Sequence, residues 1–237
     1  ALPAVRTGSG GVMAKAPDLA MRTRFASVDV LRGWAVAAML LVNYPGSSEH
    51  VYAPLQHARW NGFTPTDLIF PAFLFVVGVS IALGLRPGTP PAKIGLRERG
   101  LRFLILMGLA MLALGGAWSL LIPLNKYLWT SSFVVFASGW SLLLLALCHA
   151  LFDLRGWRPL GRSMGINAIT AYAGSWLMAC LMQRLGLFDA IWSRGFEPLL
   201  APLFGAQAAS LSLALAFVAF WWLAMWAMAR RGWKVGV

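Results

Sequence analysis

The residues best suited to chemistry lie between positions 43 and 67. Asn43, Tyr44, His57, Trp60, Asn61 and Asp67 fall within 25 residues, in a polar stretch between the apolar runs 34–42 and 68–85. A histidine titrates near neutrality, so it can take a proton from an attacking group or carry an acyl group itself. Amide side chains can donate hydrogen bonds to a developing oxyanion. Aromatic walls would complete a pocket for a small polar acceptor. The same residues also suit an ordinary loop at a membrane edge, with Tyr and Trp at headgroup level. A second polar cluster, Asn125, Lys126 and Trp129, breaks the apolar sequence further on. It fits either a site or an interfacial anchor of aromatics and lysine.

The elements that must position these residues are membrane helices. Of 237 residues, 59% are hydrophobic and 12% charged, and the mean hydropathy is +0.69. A soluble domain carries about 25% charged residues. Several apolar runs approach the roughly 20 residues needed to cross a hydrocarbon core. The chain is therefore all-α, a polytopic transmembrane helical bundle. It is read as a disordered cytoplasmic tail, 1–24, followed by one transmembrane domain, 25–237. About six spans are expected, at 27–42, 68–85, 101–117, 133–152, 166–185 and 211–228.

The net charge of +12 would point to nucleic acid only if its placement were ignored. Sixteen Arg and Lys fall in 1–24, at Arg32, and in 86–102, 153–162 and 230–234, while four (Arg59, Lys126, Arg184 and Arg194) fall in the alternate loops. This asymmetry puts both termini in the cytoplasm and the loops of His57 and Lys126 together on the extracytoplasmic side. The basic loop 86–102 is expected to meet anionic lipid, in preference to the phosphates of a nucleotide cofactor, and no nucleic acid is expected. Cys148 and Cys180 lie in apolar runs and read as small core residues, neither a disulfide nor a metal pair. No metal is expected.

Local signals refine the spans. Ser27 is placed to cap the first helix. Asp29 and Arg32, three apart, share a helix face at its cytoplasmic end. They form either an ion pair, with Arg32 reaching to the interface, or a polar mouth for an anionic ligand. Asp67 near a helix start is favoured by the helix dipole. Pro71 falls in the first turn or so of the second span, Gly78 and Ala82 offer a small face for close packing, and His149 reads as a packing or interface residue. Asn167 is a cap or a polar wall, and 183–210 a mixed outer loop.

Several motifs, in order, carry a resemblance. They are Ser27-Val28-Asp29-Val30-Leu31-Arg32-Gly33, Leu41-Val42-Asn43-Tyr44-Pro45-Gly46, His57-Ala58-Arg59-Trp60-Asn61-Gly62, Thr66-Asp67-Leu68-Ile69-Phe70-Pro71, Leu124-Asn125-Lys126-Tyr127-Leu128-Trp129-Thr130-Ser131-Ser132-Phe133 and Gly165-Ile166-Asn167-Ala168-Ile169. Together they resemble heparan-α-glucosaminide N-acetyltransferase and its bacterial relatives. The resemblance implies transfer of acetyl from cytoplasmic acetyl-CoA to the amine of an extracytoplasmic amino sugar or glycan. It implies His57 as the catalytic histidine, base or acetyl carrier, with Asn43 beside it. Asn125, Lys126, Trp129 and Asn167 match positions of the cofactor or acceptor cavity, joined here by Trp60, Asn61, Asp29 and Arg32. Asp67 would orient His57 or a neighbouring helix. A bacterial inner membrane is the implied setting, and a homodimer is compatible with it. One departure stands out. Family members carry further helices between the third span and the Leu124-Asn125-Lys126 motif, whereas here Gly115-Gly116 runs almost at once into Trp118-Ser119. The competing class is a non-enzymatic membrane protein that binds or transports a sugar or lipid-linked glycan, or an inactive, internally deleted remnant.

Overall fold

The computed structural model describes residues 25–84 and 94–235. The tail 1–24 and the basic positions Arg86 and Lys93 lie outside the described residues. Helix α1 (Ala26–Asn43) is the hub, packing against α2 (Pro65–Gly84), α4 (Ser131–Cys148), α5 (Arg162–Ile166), α6 (Ala168–Arg184) and α9 (Ala206–Arg230). Val30, Val36 and Leu40 along it are wholly buried. The helix starts before Ser27, and Ser27 is not its cap. Its first amides, those of Ala26 and Ser27, instead donate to Asp153 Oδ1 at 2.9 and 3.4 Å. Asp153 lies in a π-helical turn, His149–Leu154, that extends α4, and its other oxygen meets His149 Nδ1 at 2.9 Å. A carboxylate from another helix thus does the work of a local cap.

Helix α2 starts at Pro65, three residues before the apolar run. Proline suits a first helical position because its missing amide would have no partner there. Asp67 reaches back to the Thr64 amide at 3.1 Å, half of a capping box. Pro71 therefore stands inside the helix and lacks the amide that would bond the Asp67 carbonyl. Helix α3 (Ile94–Trp118) turns directly into α4 through 119–130. The close approach expected at Gly78 is not made there: a Cβ on Gly78 would meet open space. It occurs between α3 and α4, where a Cβ on Gly108 would strike the Leu143 side chain, on Gly115 the Phe136 backbone, and on Gly139 the Leu112 backbone, all inside 3.0 Å. Gly33 and Gly165 make the equivalent approach between α1 and α5.

By length and composition, five helical segments among the described residues could cross a membrane: Ala26–Asn43, Pro65–Leu83, Glu98–Trp118, Ser131–Leu154 and Ala206–Arg230. The remaining expected span, 166–185, is α6. It has 17 residues and is separated from α5 at Asn167 (φ −110°, ψ 34°). At 1.5 Å per residue it is about 25 Å long, at the lower limit for spanning. Segment 183–210, expected as a mixed loop, is largely helical, with α7 (Leu187–Ile191), a π-helical turn (Trp192–Phe196) and α8 (Glu197–Phe204). Hydrogen bonds tie the ends of the bundle into two groups. Ser47 to Ser210 and Asn61 to Asn125 join one end, while Arg32 to Gly165 and Asn167 to Val235 join the other.

Candidate active site

Asp67, the third residue of α2, is 1% exposed. A buried carboxylate must be hydrogen-bonded, and both oxygens are. Oδ2 accepts from the amides of Ala58 (3.2 Å) and Thr64 (3.1 Å) and lies 3.0 Å from Thr64 Oγ1. The single Thr64 hydroxyl proton is shared with the Gln56 carbonyl at 2.9 Å. Oδ1 faces His57 Nδ1 at 2.8 Å. With Nδ1 donating to Asp67, Nε2 keeps its lone pair and is the ring acceptor open to the Lys126 ammonium 3.4 Å away, while the 2.9 Å approach of that ammonium to Nδ1 is a contact between two donors and not a hydrogen bond. His57 itself is 43% exposed, so a reactive nitrogen backed by a fixed carboxylate opens to the outside.

Lys126 arrives from the other loop. Its Nζ lies 2.9 Å from His57 Nδ1, 3.4 Å from Nε2 and 3.5 Å from Asp67 Oδ1, at 22% side-chain exposure. Burial pulls its ammonium below the ordinary lysine range, and the Asp67 charge pulls the other way without prevailing.

The loop that delivers Lys126 is closed on itself. The Asn125 amide donates to Thr130 Oγ1 (3.1 Å), Thr130 N donates back to the Asn125 carbonyl (3.2 Å), and Asn125 Oδ1 accepts the Leu128 amide (2.9 Å). Trp129 within it has φ 49°, a left-handed conformation that costs a bulky residue about 1–3 kcal/mol and persists only where its surroundings enforce it. Its ring is held edge-on by Phe70 and Phe133 at 6.2 and 5.8 Å. The two loops are then sewn together. Gly62 N donates to the Leu124 carbonyl (2.9 Å), and buried Asn125 donates to Asn61 Oδ1 (3.2 Å). Above these bonds, exposed Trp60 stacks on exposed Tyr127 at 5.7 Å and 13°.

The structure thus gathers His57, Asp67, Lys126, Asn125, Asn61 and Trp60 at one junction, with Trp129 supporting it from below. Asn43 is exposed at the end of α1, and its side chain joins none of the hydrogen bonds that build the junction. Asp29, Arg32 and Asn167 sit at the opposite end. Arg32 donates to the Gly165 carbonyl, Ser80 Oγ (3.1 Å) and Asp29 Oδ1 (2.9 Å), as a structural pair does. Asn167 is buried, accepting the Val235 amide (2.9 Å) and donating to the Trp233 carbonyl (3.4 Å), so its side chain holds the chain end. His149, read as a packing residue, is partnered with Asp153. Sequence reasoning missed Thr64 and Tyr127. The Thr64-Pro65-Thr66-Asp67 start is a capping signal that could have aimed the Asp67 carboxylate. The Tyr127 stack has no sequence signal, because it depends on how two distant loops meet. Cys148 and Cys180 are unbonded on separate helices. Among the described residues no three His, Cys, Asp or Glu side chains cluster as a metal site would require.

Residues 24–137 match a family model described as heparan-alpha-glucosaminide N-acetyltransferase, catalytic. The human heparan-alpha-glucosaminide N-acetyltransferase is 46% identical over 66 residues, covering 28% of this chain and 10% of that protein. The mouse protein of the same name is 44% identical over 62 residues, covering 26% of this chain and 9% of its own length. The matched segment thus spans about a tenth of the length of these curated relatives.

Proposed function

We propose that this chain, whose residues 24–137 match the heparan-α-glucosaminide N-acetyltransferase family, moves acetyl from acetyl-CoA to the amine of an amino sugar at the His57 junction. The observation that carries this reading is the Asp67–His57 pair, 2.8 Å apart, with its free Nε2 at a junction of two loops. The acceptor nitrogen attacks the thioester carbonyl carbon, and Nε2 takes the proton that the amine sheds. The C–S bond breaks, and the proton returns to the departing thiolate. The imidazolium formed in passing is stabilised by Asp67, which is too deeply held to turn away. The Lys126 ammonium lies within reach of the oxyanion that develops on the acetyl oxygen. In the acetyl-carrier alternative the same lone pair attacks the thioester first, and the sugar amine then displaces the imidazole.

The Trp60–Tyr127 stack supplies an apolar plate beside the reacting nitrogen, suited to the C–H face of a pyranose, and Asn61 offers polar contact. The phosphates of the acetyl donor are assigned to the opposite, basic end, where Arg155, Arg158, Arg162, Arg230 and Arg231 provide charge, and the acetyl thioester has to reach through the helix bundle to the junction. On this reading the basic end faces the cytoplasm and the junction lies on the far side of a bacterial inner membrane, as the charge asymmetry of the loops supports. The deciding experiment follows labelled acetyl from acetyl-CoA to glucosamine in lipid nanodiscs, wild type beside His57→Ala. Transfer by the wild type alone is expected. Sugar binding or flux that survives His57→Ala and needs no acetyl-CoA would instead mark a non-enzymatic carrier. A folded wild type with no transfer would mark an inactive remnant.

A further inference from the structure

We propose that Lys126 is itself an acetyl acceptor: with no sugar in place, the site transfers acetyl from the thioester donor to the Lys126 ε-amine. The inference rests on the acetyltransferase reading above and extends it to a modification of the chain. Any amine that His57 can serve must stand within hydrogen-bond reach of the imidazole. The Lys126 nitrogen already stands beside it, 3.4 Å from Nε2, the ring nitrogen that keeps the lone pair. It is held in position by a loop closed on itself and latched to its neighbour. A tethered nucleophile in contact with the reacting group enjoys a very high effective concentration against a mobile sugar. Burial also gives Lys126 a larger neutral fraction than a free lysine has. The chain holds four lysines, Lys15, Lys93, Lys126 and Lys234, and only Lys126 belongs to the two junction loops.

The step balances without any further reagent. The neutral Lys126 nitrogen attacks the thioester carbonyl carbon, and the C–S bond breaks. One proton from the nitrogen passes through His57 Nε2 to the thiolate. The products are N-acetyl-lysine and free coenzyme thiol. An acetylated Lys126 has no charge to pair with Asp67 at 3.5 Å and none to offer an oxyanion. The modified site is therefore slowed, and sugar protects the enzyme from its own donor.

The test incubates the full chain in nanodiscs with isotopically labelled acetyl-CoA and no sugar, then maps label by peptide mass spectrometry. Glucosamine acetylation is measured in parallel. Label is expected to accumulate on Lys126 and not on Lys234, to fall at least about 100-fold in rate in a folded His57→Gln variant, and to be suppressed by added glucosamine. If glucosamine is acetylated while Lys126 stays unlabelled, self-acetylation is wrong and the enzymatic reading stands. Equal labelling of Lys126 in His57→Gln would reduce the modification to uncatalysed thioester chemistry and overturn the inference. If a folded wild type yields neither product, both readings fall.

Discussion

Replacing Asp67 by asparagine reverses the tautomer while keeping the shape of the side chain, and it also removes the charge that faces Lys126 at 3.5 Å. The carboxylate faces three donors with Oδ2 and His57 with Oδ1. An asparagine has one acceptor oxygen, and the amides of Ala58 and Thr64 will claim it. Its NH2 group must then point at His57 Nδ1, which has to accept, so the ring proton moves to Nε2. The nitrogen exposed to substrate loses its lone pair while every heavy atom stays in place. In a histidine–carboxylate pair the wrong tautomer costs about 10⁴ in rate, or about 5 kcal/mol of transition-state stabilisation at 1.36 kcal/mol per decade. Folding should lose far less, about 1 kcal/mol, since the part-buried amides keep an acceptor. Asp67→Ala differs: it leaves both part-buried amides without that acceptor, at about 1 kcal/mol or more each, and should lower stability further. The assay is acetyl transfer to glucosamine in nanodiscs, with thermal unfolding of each variant by circular dichroism. Asp67→Asn activity within tenfold of wild type would refute the tautomer argument. An equal loss of stability in both variants would refute the hydrogen-bond assignment.

Further outcomes test other parts of the structure. Asn125→Ala removes the latch between the loops and the acceptor of the Leu128 amide, so it should cost about 2–3 kcal/mol in unfolding and most of the activity. Gly33→Ala should prevent α1 from seating against Gly161 and Gly165, whereas Gly78→Ala should leave the melting temperature unchanged. Trp60→Ala and Tyr127→Ala should each raise the sugar KM several-fold and leave the acetyl-CoA KM alone, since a stacked aromatic pair contributes about 0.5–1.5 kcal/mol. The rate of Lys126 acetylation should climb as pH rises and level off at a lower pH than for free N-α-acetyl-lysine, because burial favours the neutral amine; a profile matching the free amino acid would contradict this.

The helical bundle was legible because hydropathy and loop charge are local properties. The starts of the helices were less so. Ser27 looked like a cap, but the helix begins before it, and Asp153, more than a hundred residues away, holds its first amides, those of Ala26 and Ser27 itself. The close packing expected at Gly78 failed because a small residue permits an approach without supplying a partner. Gly108, Gly115 and Gly139 meet across the α3–α4 hairpin because each faces the other helix. At the site, His57, Asp67 and Lys126 were legible as residue types. Their arrangement was not, since the Lys126 distances depend on how two loops dock. Asn167 carried the same polar signal, and its partners turned out to be the backbone of the chain end.

The docking of the two loops also bears on biogenesis. The α1–α2 hairpin carries His57 and Asp67, and the α3–α4 hairpin carries Lys126 and Asn125. On the acetyltransferase reading proposed above, a first hairpin inserted alone holds the histidine and its carboxylate but neither the lysine nor the latch, so transfer should require the second hairpin seated beside it. The junction is thus an assembly checkpoint: a half-inserted or misrouted chain would leave the acetyl thioester intact, and co-expressed halves divided between residues 84 and 94 should regain activity only by pairing in the bilayer.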